Sequence, residues 1–154
     1  MMQDAQLLLS GTINGTTNAI TPQTVTAAAV SGNTVDLLQA RDLGEGTDLF
    51  GRFQVATAAT GGTTMEFQII AADDAALSTN ITVLGTTGPI PLARLTAGAR
   101  FACGISPVLG RIGQRYVGAR YVPTGTFTAG AYVADIGIEV QDGQTFYPAN
   151  QSII

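Results

Sequence analysis

The sequence predicts an all-β protein, an antiparallel two-sheet sandwich of jelly-roll type with about eight strands and little or no helix. Three observations support this fold class. Apolar and polar residues alternate with a period of two over much of the chain. Turn residues interrupt this alternation about every ten residues, as in sandwiches and barrels. Segments without alternation contain too much Gly and Thr, or too few recurring apolar residues, to form long helices.

Three long segments show the alternation most clearly, and in each one a set of residues on the same face is predicted to line the core. The sets are Leu49, Gly51, Phe53 and Val55 in residues 48–57; Met65, Phe67, Ile69 and Ala71 in residues 63–72; and Tyr132, Ala134, Ile136, Ile138 and Val140 in residues 132–140.

Shorter strands are predicted at residues 6–9, 24–30, 34–38, 81–85, 99–105 and 115–122. Turns rich in Gly, Asn, Pro and Thr separate the strands at 31–33, 44–46, 61–62, 87–89, 97–98 and 123–130. In the strand 115–122, the alternation directs Arg120 away from the core. Arg120 then pairs either with a carboxylate across the strands, such as Asp135 or Glu139, or with another subunit, where Arg is enriched.

The chain divides into a sandwich domain, residues 1–141, with an extended N-terminal segment, and a tail, residues 142–154. The tail lacks alternation but contains Phe146, Tyr147, Ile153 and Ile154, which makes it too apolar for a solvated segment. We expect it to pack on its own domain or on a neighbour.

Charge is scarce in this chain. Charged residues make up 12% of it, about half of the usual share, and the net charge is −4. A nucleic-acid partner is not expected, because binding one requires a positive field. The low charge fits either a neutral, Thr-rich surface or a surface that partners cover. No segment is long and apolar enough to predict a membrane span, and the N-terminus lacks the pattern of a signal peptide.

The residues needed for common catalytic sites are largely missing. His and Lys do not occur in the sequence, which excludes a Ser-His-Asp triad and a histidine metal site. The one cysteine, Cys103, lies in a strand-like segment and is predicted to be a small buried residue. The acidic segment 41–48 departs from the EF-hand spacing, which leaves calcium binding there an open question. We expect no enzymatic activity, no cofactor and no catalytic or metal site.

Four blocks in order resemble the small capsid cement (decoration) proteins of tailed bacteriophages, in particular those of the Bordetella-phage type. The blocks are residues 35–37 with 40–46, residues 68–78, residues 88–92 with 95–98, and residues 115–117 with Tyr121 and 125–130. The resemblance covers about residues 5 to 148. It departs in a longer Asn/Thr-rich segment at 11–18 and a longer tail after Pro148.

This resemblance implies a jelly-roll virion protein without enzymatic activity, made in the host cytoplasm and carried on the outer capsid surface. Its partners would be the major capsid protein and itself, as a homodimer or, alternatively, a trimer. The residues expected to contact partners lie in the termini, the arginine-bearing loops and one outer strand face: Leu7, Leu8, Leu9, Arg41, Asp42, Arg111, Arg115, Arg120, Phe146 and Tyr147.

Two other functions are compatible with the sequence. The first is a carbohydrate-binding or host-adsorption module, similar to part of a head fibre. It requires Tyr116, Tyr121, Phe127 and Tyr132 to share a surface, whereas the alternation directs Tyr121 and Tyr132 inward. The second is a weak carboxylate- or metal-dependent hydrolase, which would depend on residues such as Asp42.

Overall fold

The computed structural model describes residues 5–40, 48–107 and 113–138. No α-helix occurs in these ranges, and the all-β prediction is confirmed. The one helical element described is a single 3-10 turn, Leu92–Arg94. The strands are β1 (Leu8–Ser10), β2 (Thr12–Ile13), β3 (Ile20–Thr21), β4 (Gln23–Thr24), β5 (Ala29–Val30), β6 (Val35–Asp36), β7 (Phe50–Gly61), β8 (Thr64–Ala72), β9 (Thr82–Pro91), β10 (Arg100–Gly104), β11 (Tyr116–Thr124) and β12 (Phe127–Gly137).

The strands form two facing antiparallel sheets. Sheet I has the order β1-β12-β7-β10, with β4 on another part of β12, and sheet II has the order β5-β11-β8-β9, with β6 also on β11. If β5 and β6 are counted as halves of one strand and the short β2, β3 and β4 are set aside, eight of the described strands remain. The chain passes from one sheet to the other at every connection between these eight except β8 to β9. This is the arrangement of a jelly roll.

The core lies between the sheets and is centred on four aromatic residues. Phe53 stacks on Phe67 with ring centroids 5.0 Å apart, and Tyr121 stacks on Tyr132 at 5.5 Å. Phe67 also meets Tyr132 edge-on at 5.3 Å, which joins the two pairs. The Tyr121 hydroxyl donates a hydrogen bond to Ser10 Oγ at 2.6 Å. Offset and edge-on rings stabilise a core beyond the area that they bury.

The predicted inward faces are confirmed for the three long strands, with one exception. Phe53, Val55, Met65, Phe67, Ile69, Ala71, Tyr132, Ala134 and Ile136 all belong to one buried cluster. The exception is Ile138, which was predicted to face the core but is 63% exposed. It lies beyond the last paired residue of β12, Gly137, so the alternation no longer directs it inward. Val140 is outside the described residues.

Three predicted turns lie wholly or partly within strands, and the first, 61–62, begins with the last residue of β7. Strand β9 continues through residues 87–89, because one extra residue forms a bulge: Glu66 pairs with Pro89, but Gln68 pairs with Thr86. Gly88 takes the positive φ of +68° that this bulge requires. Strand β12 begins at Phe127, which reduces the predicted turn 123–130 to residues 125–126.

The predicted strand 24–30 is two strands in different sheets. Strand β4 pairs with β12 in sheet I, whereas β5 pairs with β11 in sheet II. The chain changes sheets between them, so a single straight strand was the wrong prediction.

Both sides of the sandwich are closed. On one side Ser106 N–H donates to the Leu84 carbonyl at 2.9 Å. There, a Cβ added to Gly85 would lie 2.2 Å from the Gly104 carbonyl oxygen, so a glycine is needed for the close approach of β9 and β10. On the other side the Asn33 side-chain amide donates to the carbonyls of Leu8 at 3.2 Å and Gly11 at 2.8 Å. The two sheets are therefore in direct contact along both sides of the sandwich.

Strands β2 and β3 form a small separate hairpin that the sequence patterns did not predict. Its turn is held by the side-chain oxygen of Asn14, which accepts the N–H groups of Thr16 at 2.9 Å and Thr17 at 3.2 Å. Asn side chains commonly satisfy turn backbones in this way. The Asn/Thr-rich segment 11–18 supplies β2 and the turn of this hairpin.

Candidate docking surface

The two ends of the sandwich are built differently. Strands β7 and β8 are joined by residues 62–63, and β11 and β12 by residues 125–126, so these connections define one end, here called the turn end. The opposite end is here called the loop end. Paired residues mark each one: Gly61 with Phe127 and Thr64 with Thr124 at the turn end; Phe50 with Gly137 and Ala72 with Tyr116 at the loop end.

Exposed large hydrophobic side chains are concentrated at the loop end. Among the described residues they are Leu38, 72% exposed, Ile138, 63%, Val83, 42%, and Ile81, 36%. Asp36, at the end of β6, pairs with Tyr116, and Thr82, at the start of β9, pairs with Ala71. Leu38 and Ile81, which adjoin these strand ends in the chain, therefore lie at the loop end. Exposed apolar side chains that form a contiguous patch are typical of sites that bind a partner.

Leu38 lies in a turn that is held by its neighbours. The Asp36 carboxylate accepts the Leu38 N–H at 2.7 Å and two hydrogen bonds from the Arg115 guanidinium, at 2.5 Å each. Arg115 also lies 5.1 Å from the centroid of the Tyr116 ring. The Arg115 hydrogen bond, with the Leu38 N–H, lowers the pKa of Asp36. The carboxylate is therefore ionised at neutral pH and fixes both the turn and the arginine.

The loop between β8 and β9 folds back over the outer face of sheet II. The Asp74 carboxylate accepts the N–H groups of Ser78 at 3.0 Å and Thr79 at 2.7 Å, and the Ser78 hydroxyl at 2.8 Å. These bonds lower the pKa of Asp74, with the Ser78 side chain the largest cause. Leu77 is buried over Gly118, where an added Cβ would lie 2.2 Å from Leu77 Cδ1. This loop thus forms a second small hydrophobic cluster outside the main core.

Arg120 lies on the outer face of sheet II at the end of a polar ladder. Its Nε donates to Gln68 Oε1 at 2.8 Å, Gln68 donates to Glu66 Oε1 at 2.7 Å, and the Thr86 hydroxyl donates to the same oxygen at 2.6 Å. The hydrogen bonds from Thr86 and Gln68 lower the pKa of Glu66. Within the chain, Arg120 thus binds an amide; a pairing with Asp135 was the wrong prediction, and Glu139 lies outside the described residues.

Asp135 instead pairs with Arg52, its cross-strand neighbour in sheet I. Arg52 Nε lies 2.7 Å from Asp135 Oδ1, and Nη2 lies 2.9 Å from Oδ2. Asp135 is only 2% exposed. The two-pronged geometry meets the requirement that a buried carboxylate be paired and hydrogen-bonded. Asp135 does not pair with Arg120 because the two residues belong to different sheets; a contact of Arg120 with another subunit stays a prediction.

The residues predicted to contact partners are only partly brought together. Arg115 lies at the loop end, and Arg120 on the outer face of sheet II. Leu7 is half-buried, whereas Leu8 is 4% exposed and Leu9 is fully buried, so the last two do not present side chains at the surface. Arg41, Asp42, Arg111, Phe146 and Tyr147 lie outside the described residues, as do the tail 142–154 and most of the acidic segment 41–48.

The described residues offer little for catalysis. Burial raises the pKa of the Cys103 thiol to about 11, which keeps it protonated and unreactive at neutral pH. No group of three or more His, Cys, Asp or Glu residues suited to a metal ion occurs within the described ranges. Tyr121, Phe127 and Tyr132 are buried, so they do not form the surface that a carbohydrate platform requires. In the described part of the chain, no helix is long and apolar enough to cross a membrane.

Leu38, Ile81 and Val83 were not predicted as surface residues of interest. One signal for Leu38 was present in the sequence. Leu37 and Leu38 are adjacent in a segment predicted as a strand, and neighbouring strand residues point to opposite faces. Leu37 packs against the core, so Leu38 points away from it. Ile81 and Val83 carry no comparable signal, because their exposure depends on β9 being at an edge of sheet II.

The sandwich is similar to a known protein family. The family model Bbp16 matches residues 20–136, about three quarters of the chain. This range contains most of the sandwich and begins at β3, after most of the β2–β3 hairpin. A search of curated proteins found no match.

Proposed function

This chain belongs to the Bbp16 family of Bordetella phage proteins, and from that premise we propose that it is a capsid cement protein of a phage virion. It binds the outside of the assembled major coat protein lattice as a homodimer and stabilises that lattice against the internal pressure of packaged DNA. Its role requires contact area and rigidity rather than a reactive group.

The observation that carries this proposal is the asymmetry of the sandwich. A jelly roll closed on both sides gathers its described exposed large hydrophobic side chains at the loop end. Two polar clusters on the outer sheet faces, the Arg52–Asp135 pair and the Glu66 ladder, are hydrogen-bonded within the protein. A rigid body with one apolar end fits docking better than it fits catalysis.

The energetics of a lattice explain why modest contacts are enough. A protein that binds only the assembled lattice shifts the equilibrium toward that lattice by mass action. Dimers that bridge neighbouring subunits add avidity, because the second contact forms at a high effective concentration. The net charge of −4 suits the outer surface, away from the negatively charged DNA.

The test is reconstitution with capsids. The full chain is added to expanded capsids that were assembled without it, and binding is measured by co-sedimentation together with the capsid melting temperature. We expect saturable binding and a higher melting temperature, and no binding to separated coat subunits. Sedimentation equilibrium of the free protein is expected to give the mass of a dimer.

Failure of the protein to bind any capsid form would reject the cement function. Equal binding to capsids and to separated subunits would reject the mass-action mechanism while leaving the partner in place. A trimer mass would replace the dimer without changing the function.

A further inference from the structure

Two leucines of this protein adopt the left-handed backbone conformation, and the difference between them is informative. Leu38 has a φ of +65° and Leu77 a φ of +54°. This conformation costs free energy for any residue with a Cβ, and Gly or Asn adopts it more easily. A leucine is retained at such a position only where its side chain compensates for the cost.

The compensation is visible for Leu77. Its side chain is 1% exposed and packs in the cluster with Ile70 and Ala72, against the bare surface of Gly118. Burial of this side chain stabilises the fold and offsets the strained backbone.

Leu38 receives no such compensation from the part of the chain that the structure describes, because 72% of its surface is exposed. Its turn is nevertheless firmly held. Asp36 accepts the Leu38 N–H at 2.7 Å and is itself fixed by Arg115, while the Leu37 N–H donates to the Arg115 carbonyl at 3.1 Å. These bonds fix the backbone from which the apolar side chain projects, which reduces the entropy lost on binding.

We propose that Leu38 is an anchor that inserts into an apolar recess of the major coat protein; this inference rests on the proposed cement function. The anchor's charged neighbours, Asp36 and Arg115, already neutralise each other, so an uncharged aliphatic recess suits it. A second copy fits less well. A symmetric pair that buried both copies of Leu38 near its axis would bring the loop ends together, and the other described large apolar side chains there, Ile81, Val83 and Ile138, are themselves exposed rather than recessed.

The substitution Leu38→Asn tests whether the Leu38 side chain binds a partner or stabilises the fold. Asn tolerates the left-handed backbone, so we expect the free protein to melt at the same or a higher temperature than the wild type. Binding to expanded capsids is expected to weaken about tenfold or more, as for an interface hot spot. Weakening by Leu38→Asn should persist at high salt, because the lost contact is apolar.

Two control variants accompany it. Leu77→Asn places the same substitution at the buried left-handed leucine, and it should lower the melting temperature of the free protein. Ala97→Asn introduces Asn at an exposed position of the turn end and should change neither stability nor binding.

Each contrary outcome is distinct. If the wild type binds capsids and Leu38→Asn binds equally well, the anchor is rejected and the cement function stands. If Leu38→Asn destabilises the free protein as much as Leu77→Asn does, Leu38 is a structural residue and the inference is wrong. If Leu38→Asn abolishes dimers, the recess belongs to a second copy. If the wild type binds no capsid, both the inference and the function are rejected.

Discussion

The chain reverses direction at both the turn end and the loop end, but different residues form the turns. At the turn end each described positive φ belongs to a glycine: Gly61, Gly62, Gly98 and Gly125. At the loop end Leu38, Leu77 and Asn80 take positive φ alongside Gly113. The turn end is therefore built at little conformational cost, whereas the loop end keeps side chains where a glycine would be easier.

The difference indicates that the two ends have different roles in stability and docking. Tight glycine turns bring the sheets together and leave no described large hydrophobic side chain exposed at that end. The loop end retains leucines in strained positions, one to cover sheet II and one to face outward. Strain of this kind is commonly found where a protein binds or switches. Stability is thus expected to depend most on the turn end, and docking on the loop end.

The largest effect is expected for Gly62→Ala at the turn end. An added Cβ would lie 2.2 Å from the Phe127 ring, and Gly62 has a φ of +64°. Steric clash and backbone strain together should cost about 2 to 5 kcal/mol of unfolding free energy, measured by urea denaturation.

The matched control is Gly98→Ala, where φ is +85° but nothing lies within 4 Å of the added atom. It should cost only about 1 to 2 kcal/mol. Equal losses would show that the Phe127 contact does not matter.

A smaller loss is expected for Leu77→Ala at the loop end. Removing this buried side chain leaves a cavity over Ile70 and Ala72, and the expected cost is about 2 to 3 kcal/mol, at the low end for such changes, because the cluster is small. Thermal and urea unfolding measure it. Ala76→Gly, at an exposed position of the same loop, should cost under about 1 kcal/mol. A Leu77→Ala protein as stable as the wild type would mean that the loop contributes nothing to the fold.

The smallest effect concerns pH. Arg115 lowers the pKa of Asp36 in the folded protein, so the pair stabilises the fold above the unfolded pKa and loses this contribution as the pH falls through the folded value. Asp36→Asn should therefore reduce stability slightly near pH 6, and the difference from the wild type should shrink as the pH falls below the ordinary aspartate range and Asp36 becomes protonated in the folded protein. Melting curves across this range measure it. Because both partners are partly exposed, about 0.5 M salt should shrink the difference; a difference that grows toward low pH would contradict the assignment.

Much of the fold was predictable because alternation records burial directly. The inward faces of residues 48–57 and 63–72 followed from which residues are apolar, and the observed core contains them. The positions of the strand ends and bulges were harder to predict. The bulge at Gly88 and the early end of β12 depend on the length of the partner strands, which a local pattern does not contain.

The candidate site was predicted less well, because it depends on neighbours. Arg115 was singled out from its position in a loop, yet its partner Asp36 lies 79 residues away in the sequence. Leu38 is not among the predicted contacts, because an exposed leucine is not by itself a sign of a binding site. Alternation with Leu37 indicates that Leu38 points outward, but the left-handed turn after β6 depends on the packing of Leu37 and on the Asp36–Arg115 pair.

The sequence by itself determined the fold class, the core faces and the absence of histidine and lysine chemistry, because composition and a period of two are local properties. The tertiary structure decided which carboxylate each arginine meets: Asp135 for Arg52 and Asp36 for Arg115, whereas Arg120 meets the amide of Gln68. It also decided that the exposed apolar side chains gather at one end. Both depend on sheet order and register, which bring together residues far apart in the chain.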